Sequence, residues 1–374
     1  MAENSPLKDL AANNPTAART LMSIIINNYN YGRFLREAID SALNQTYAST
    51  EVIVVDDGST DNSREVIAGY GDRIIPVLKE NGGQASAFNA GYAASSGDLI
   101  LFLDSDDMLL PAAAATVARE WRDGTVLAYF PLEVVDAMGH ALGRLEGGLP
   151  VPDITQGLYG MGSPTSGNVF SRKTLEKIMP IPEQQWQICA DSYLSVMSSV
   201  LGKLQSLSAP LGKYRVHGNS NFTSKEPNLA DTRRALQAAL TGHRILRRLA
   251  GDRIPPLDEW LAPNRPYWVA RITSLRESPG DHPWPDSLLN LIVKAVKATW
   301  LQPNWSFRRK LAYTAFDVCY SLSPKAIRQR LKMVEARART PMVKRLLGAK
   351  LPTDKLHNQQ TALGHAEARA GHSE

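Results

Sequence analysis

Three carboxylates, Asp104, Asp106 and Asp107, fall within four residues directly after the apolar run Leu99–Leu103. Carboxylates this close repel one another, and placing them at the mouth of a buried strand is costly unless something positive joins them. A divalent cation shared with phosphate oxygens is the usual solution. The same residues also suit a capped turn, with Asp106 or Asp107 as N-cap of a helix starting near Met108 and Pro111 in its first turn. A second acidic group, Asp56-Asp57-Gly58-Ser59-Thr60-Asp61, follows the strand-like stretch Glu51–Val55 and fits turn and cap chemistry equally well. A third polar loop, Asn27-Asn28-Tyr29-Asn30, follows Leu21–Ile26. Farther along, Asp191 stands near the start of a helical stretch, where it could cap the helix, and His217 follows the run Leu211–Val216.

The elements that must position these groups alternate. Leu21–Ile26, Glu51–Val55, Arg73–Leu78 and Leu99–Leu103 read as strands, bounded by turn residues and charge. Arg33–Asn44 carries apolar residues at helical spacing, a capped helix runs to about Tyr70, and the small-residue stretch Gln84–Ala94 reads as a closely packed helix. Gly82-Gly83 marks the start of that last helix, with room for close approach to a ligand. No G-K-S/T follows, so the pair is not a P-loop. Nearly continuous apolar strands alternating with helices predict a mostly parallel sheet flanked by helices, an α/β fold. Ligands of such sheets bind outside the carboxyl ends of the strands, and the three polar loops all fall at that edge.

The pattern then changes. Val126–Val135 and the turn-containing Asp136–Leu145 predict antiparallel strands or a hairpin. Gly147–Gly167 reads as loop, Ser166–Phe170, Lys203–Leu207 and Leu211–Val216 as strands, and Arg172–Ile178 and Ile188–Leu201 as helices. Leu229–Ala250, Ser287–Leu301 and Phe307–Leu322 are further helices, divided by proline-rich joints.

Charge divides the chain. Residues 1–224 hold 16 Lys and Arg against 24 Asp and Glu, whereas residues 225–374 hold 26 against 13. The chain therefore reads as a leader at 1–19, an α/β domain at 20–225, a basic helical region at 226–350 and a polar tail at 351–374, the leader and tail disordered. Two cysteines, Cys189 and Cys319, imply unpaired thiols in a reducing compartment. No run approaches 18 uncharged apolar residues, and no basic stretch with an apolar core opens the chain, so neither a spanning helix nor a signal peptide is expected.

Taken in order, SIIINNYNYGRFLREAIDSALNQTY, EVIVVDDGSTDNS, NGGQASAFNAGYAASSGDLILFLDSDD, SGNVFSR, CADSYL and YRVHGNS resemble the family 2 glycosyltransferases of the GT-A fold, over roughly residues 20–222. The resemblance implies an inverting enzyme that moves a sugar from a nucleotide diphosphate donor, most often a UDP-sugar, to a glycan or lipid-linked acceptor in polysaccharide biosynthesis. It implies Mg²⁺ or Mn²⁺ at Asp104 and Asp106, with His217 as a further ligand. Asp104 also reaches toward the ribose. It implies base contacts at Asp57, with Asp56 beside it, and stacking on Tyr29 in the loop that holds Asn27. Gly83 would approach the donor, and Arg215 would balance phosphate charge. Asp191 matches the base that takes the acceptor's proton. Three departures stand out: Asn27-Asn28 in place of Pro-Thr, Phe88 in place of Arg or Lys, and Ala190 in place of the Glu before Asp191.

A nucleotidyltransferase would want a basic, glycine-rich signature after the first strand, which NNYNYG is not. A scaffold on a degenerate site would have lost the acidic cluster. The basic helices suit an anionic membrane surface, or a solvated appendage or oligomer contact, better than nucleic acid; the expected location is the cytoplasm, peripheral on the inner face of the membrane where the helices meet lipid.

Overall fold

The structure, a computed structural model, describes residues 20–148, 162–217, 228–303, 305–328 and 330–331. The leader, the tail at 351–374, most of the loop expected at Gly147–Gly167, Gly218-Asn219 and the basic stretch 332–350 lie outside the described residues. The chain divides into two compact units, Met1–Asn264 and Arg265–Glu374. The division falls beyond the change of composition near residue 225, because the arginine-rich helix Leu229–Ala250 belongs to the first unit.

The first unit begins with β1 (Met22–Asn28), α1 (Gly32–Leu43), β2 (Thr50–Asp57), α2 (Ser63–Ala68), β3 (Ile75–Lys79), α3 (Gln84–Ala94) and β4 (Leu99–Asp104). It continues with β5 (Met108–Leu109), α4 (Ala113–Glu120), β6 (Thr125–Tyr129), β7 (Leu132–Val135), β8 (Ala141–Glu146) and β9 (Asn168–Ser171). It closes with α5 (Arg172–Ile178), α6 (Ala190–Ser198), β10 (Lys203–Ser206), β11 (Gly212–Arg215), α7 (Leu229–Ala250) and α8 (Leu257–Leu261).

Seven strands form one sheet in the order β10-β6-β9-β4-β1-β2-β3. All its pairings are parallel except those of β9, which runs against both β4 and β6. Ile24, Ile25 and Ile26 of β1 are fully buried, as expected of a central strand covered on both faces. α3 packs close to the sheet because Gly91 lies against Ile25 and Val55; a Cβ there would stand 2.3 Å from Ile25 Cγ2. Register sets the site. Asn27 pairs with Asp104 across β1 and β4, and Asn28 with Asp56 across β1 and β2, so the three polar loops leave the sheet at one edge.

The antiparallel hairpin expected of Val126–Val135 with Asp136–Leu145 is β7 with β8. Pro131, which has no N–H to give a ladder, separates β6 in the large sheet from β7 in a second sheet ordered β5-β11-β7-β8. One local expectation is corrected: no helix starts at Met108. Met108–Leu109 pairs with β11 as a short antiparallel strand, and the helix starts at Ala113.

The second unit contains α9 (Arg265–Glu277), α10 (Leu288–Trp300) and α11 (Phe307–Leu322). Trp268, Ile272, Leu291, Ala295, Ala298 and Tyr320 are buried in it. So is an ion pair, with Arg265 Nε donating to Asp317 Oδ2 at 3.0 Å.

Candidate active site

The carboxylates at the sheet edge sort into two groups by their partners. Asp56 and Asp57 are matched within the chain. Asp56 accepts from Arg64 Nε at 2.9 Å, from the Ser59 N–H and from Asn28 Nδ2 at 3.1 Å each, and these bonds hold its pKa below the usual range despite burial. Asp57 accepts from Lys79 Nζ at 2.6 Å and from the N–H groups of Gly82 and Gly83 at 3.0 and 2.8 Å, and Asn81 Nδ2 adds a fourth bond. Both aspartates shape loops. The base contact expected of Asp57 would have to share a carboxylate that already takes four hydrogen bonds. Gly83, at φ +86°, has the backbone of Gln187 against it, and a Cβ would stand 2.9 Å from the Gln187 carbonyl oxygen. Gln84 N–H donates to that same oxygen at 2.9 Å. The glycine thus admits the segment leading into α6, and through it positions Asp191.

The second group is Asp104, Asp106, Asp107 and Asp191. Among the described residues no lysine or arginine forms an ion pair with any of them. Asp104 Oδ1 accepts from Asn27 Nδ2 at 2.9 Å. Burial, then the charges of Asp106 and Asp191, push the Asp104 pKa up to about 7. Burial also raises Asp191, whose carboxylate accepts from the Ser192 N–H at 2.9 Å. The Thr165 hydroxyl lies beside both Asp104 and Asp191, where the acidic turn meets the start of α6. Burial pushes the neighbouring Cys189 thiol up to about 11, helped by Asp191 and Asp104.

Asp106 and His217 meet, with Nε2 and Oδ2 3.0 Å apart. The imidazole lies edge-on to Tyr31, at 5.5 Å between centroids, and beside Phe34 at 5.0 Å. Asp107 caps no helix. Its carboxylate accepts from Ser166 Oγ at 2.6 Å and from the Arg215 N–H at 2.9 Å, and so joins the acidic turn to β9 and β11. Arg215 was expected to meet phosphate, but its guanidinium is buried. It donates to the carbonyls of Asp106 and Ala137 at 2.9 Å each and to Glu37 at 2.7 Å, and it stacks over Phe34. Its role in these contacts is to fix the turn that aims Asp106. Tyr29 is 44% exposed in the β1–α1 loop, with its ring available to a ligand.

Residues 23–160 match the glycosyl transferase family 2 profile. An uncharacterized glycosyltransferase of Nostoc sp. is 35% identical over 231 residues, which is 59% of this chain and 72% of that protein. The chain belongs to glycosyl transferase family 2. It is a glycosyltransferase, and its mixed sheet with flanking helices is that family's GT-A fold. Chondroitin synthase of Pasteurella multocida is 43% identical over 111 residues, 29% of this chain and 12% of that much longer protein. Among solved structures, S. aureus TarS 1–349 in complex with UDP-GlcNAc is similar at a TM-score of 0.49 and 16% identity, covering 83% of this chain and 92% of that one.

In this family 2 glycosyltransferase the departures at Phe88 and Ala190 have structural explanations. Phe88 is fully buried and stacked on Phe102 at 4.2 Å, so it is core rather than donor contact. Ala190 is also fully buried, and its N–H donates to Gln84 Oε1 at 2.8 Å. Thr165 and Ser166 carry no sequence signal as site residues, because their partners lie 59 and 62 positions away for Ser166 and on separate elements for Thr165.

The donor set suits a hard divalent ion. Asp104 and Asp106 offer carboxylate oxygens beside the His217 imidazole, and Asn27 Oδ1 is buried with no hydrogen-bond partner. Among the described residues no three or more His, Cys, Asp or Glu form a ready-made cage.

Proposed function

We propose that the chain is an inverting glycosyltransferase that moves a sugar from a UDP-sugar to a glycan or lipid-linked acceptor in polysaccharide synthesis. One observation carries this reading: Asp104 lies against Asp106 of its own turn and against Asp191 of α6, far along the chain, and among the described residues no arginine or lysine is paired to any of the three. The resemblance to a chondroitin synthase supports the polysaccharide setting.

Asp191 acts as the base. Its burial raises its proton affinity, which suits a carboxylate that must take a hydroxyl proton near neutral pH. The Ser192 N–H holds its carboxylate at the start of α6, with the Thr165 hydroxyl beside it. Asp106 and His217, with Asp104, would hold Mg²⁺ or Mn²⁺. That ion supplies charge stabilisation to the departing diphosphate. Asn27 orients Asp104, and Tyr29 stacks on the base of the nucleotide.

A thermal-shift panel of nucleotide-sugars with Mn²⁺, followed by assay of nucleoside diphosphate release, tests the reading. One donor is expected to stabilise the protein and to be turned over, and Asp106→Ala is expected to abolish both effects. Stabilisation by no nucleotide-sugar, or turnover that survives Asp106→Ala, would overturn it.

A further inference from the structure

The second unit presents an apolar face that its own helices leave open. On α10, Leu289, Val293 and Trp300 recur at helical spacing and are 74%, 56% and 41% exposed. On α11, Phe307 and Leu311 stand one turn apart and are 66% and 47% exposed. The two rows are continuous, because the Trp300 and Phe307 rings meet edge to face at 5.7 Å, and Leu301 between them is 46% exposed. Trp300 Nε1 donates to Thr314 Oγ1 at 3.1 Å, which holds the indole against α11.

The charge around this face is of one sign. Residues 287–331 contain eight lysines and arginines and a single acidic residue, Asp317. Asp317 is buried and bound to Arg265, so it contributes nothing to the surface. Lys297 lies in the α10 row between Val293 and Trp300, and Arg308 follows Phe307; both are exposed. Exposed aliphatic and aromatic side chains among cations, with no exposed anion on the same helices, suit the boundary between anionic headgroups and acyl chains. No helix of the described residues is long and apolar enough to cross a membrane, so the contact is with the surface of the bilayer.

We propose that the α10–α11 face docks the protein on an anionic lipid bilayer, with Leu289, Val293, Trp300 and Phe307 entering the interface and Lys297 and Arg308 meeting headgroups. The proposal goes beyond the catalytic reading and is independent of it, because its readout is vesicle binding rather than turnover.

The test is flotation of the full chain with vesicles of phosphatidylcholine alone or with phosphatidylglycerol, at low and high salt. Wild type is expected to float with the anionic vesicles and to lose binding as salt rises. Phe307→Ser with Leu311→Ser, and separately Lys297→Glu with Arg308→Glu, are each expected to weaken binding by about tenfold or more. All four positions are exposed, so the variants are expected to keep the wild-type circular dichroism and melting temperature. Flotation no better with anionic than with neutral vesicles, or both double variants floating like wild type, would overturn the proposal. So would light scattering that shows an oligomer without lipid which Phe307→Ser with Leu311→Ser dissociates, since the face would then be a contact between copies of the chain.

Discussion

Asp317 in the second unit and Asp191 in the first are both buried aspartates with opposite surroundings. Asp317 lies against Arg265, whose Nε donates to it at 3.0 Å, and Thr299 adds a further hydrogen bond at 3.2 Å. Asp191 accepts from a backbone N–H, has the Thr165 hydroxyl beside it, and its charged neighbour is the carboxylate of Asp104. Asp286 repeats the first pattern, with Arg271 at 2.7 and 2.8 Å and His282 at 3.0 Å. Asp56 and Asp57 also follow it at the edge of the site itself. At Asp317, Asp286, Asp56 and Asp57 the chain supplies a cation to the carboxylate that holds its shape, whereas Asp107 holds the acidic turn through Ser166 and the Arg215 N–H alone. Where the chain leaves several carboxylates together without a cation, the counter-charge is expected from the ligand.

The largest effect expected from breaking this contrast is on turnover. Asp191→Asn keeps the shape and the hydrogen bond from the Ser192 N–H but removes the base. Sugar transfer is expected to fall by roughly 10²–10⁴-fold. Stability at pH 7 is expected to hold or rise, because a desolvated charge has been removed. The same substitution at Asp317 has the opposite consequence. Asp317→Asn takes from the buried Arg265 guanidinium the carboxylate that it donates to, and chemical denaturation is expected to show a loss of about 3–5 kcal/mol. Equal stability effects at the two positions would remove the distinction between them.

The contrast also carries a pH dependence. The folded pKa of Asp104 is about 7, above the carboxylate's ordinary 3.8, and Asp107 and Asp191 are raised as well. Between these limits the folded state holds protons that the unfolded chain has lost. Stability of the chelator-treated protein is therefore expected to fall as pH rises from about 4 through 7. Mn²⁺ with a nucleoside diphosphate at a hundredfold excess over its Kd is expected to restore about 2.7 kcal/mol at pH 7. Melting curves across pH, with and without Mn²⁺, check both statements.

The same contrast marks what the sequence could reveal. β1, β2 and β4 were legible because each is a short apolar run ending in polar residues, and α3 because its small residues match a close approach to the sheet. The convergence of three loops on one edge followed from strand direction alone. The partners of each acid did not. Asp104 and Asp107 look alike in DSDD, yet Asp107 is committed to Ser166 and the Arg215 N–H, 59 and 108 residues away. Arg215 looks like a phosphate ligand until its donors are traced to Glu37 and two carbonyls. β6 and β7 part because their pairings are long-range, a choice that local periodicity does not contain. α9 was missed because it buries Arg265, Thr273 and Ser274 alongside its aromatic residues, so no clean apolar stripe marks it.

The smallest effects separate two residues to which the family resemblance gives the same task, base recognition. Asp57 is engaged by Lys79, Asn81, Gly82 and Gly83, so Asp57→Ala is expected to cost about 1–3 kcal/mol of stability through the groups left unpaired. Tyr29 is exposed and holds nothing in place with its ring. Tyr29→Ala is therefore expected to leave the melting temperature unchanged. It should raise the KM for the donor by about 2–10-fold, the worth of one stacking contact, with kcat unaltered. Tyr29→Phe should restore donor KM, because the face of the ring and not the hydroxyl makes the contact. If Tyr29→Ala instead lowered kcat while KM held, the ring would be acting in the transition state. The division of the edge into residues that shape it and residues that meet the ligand would then need redrawing at Tyr29.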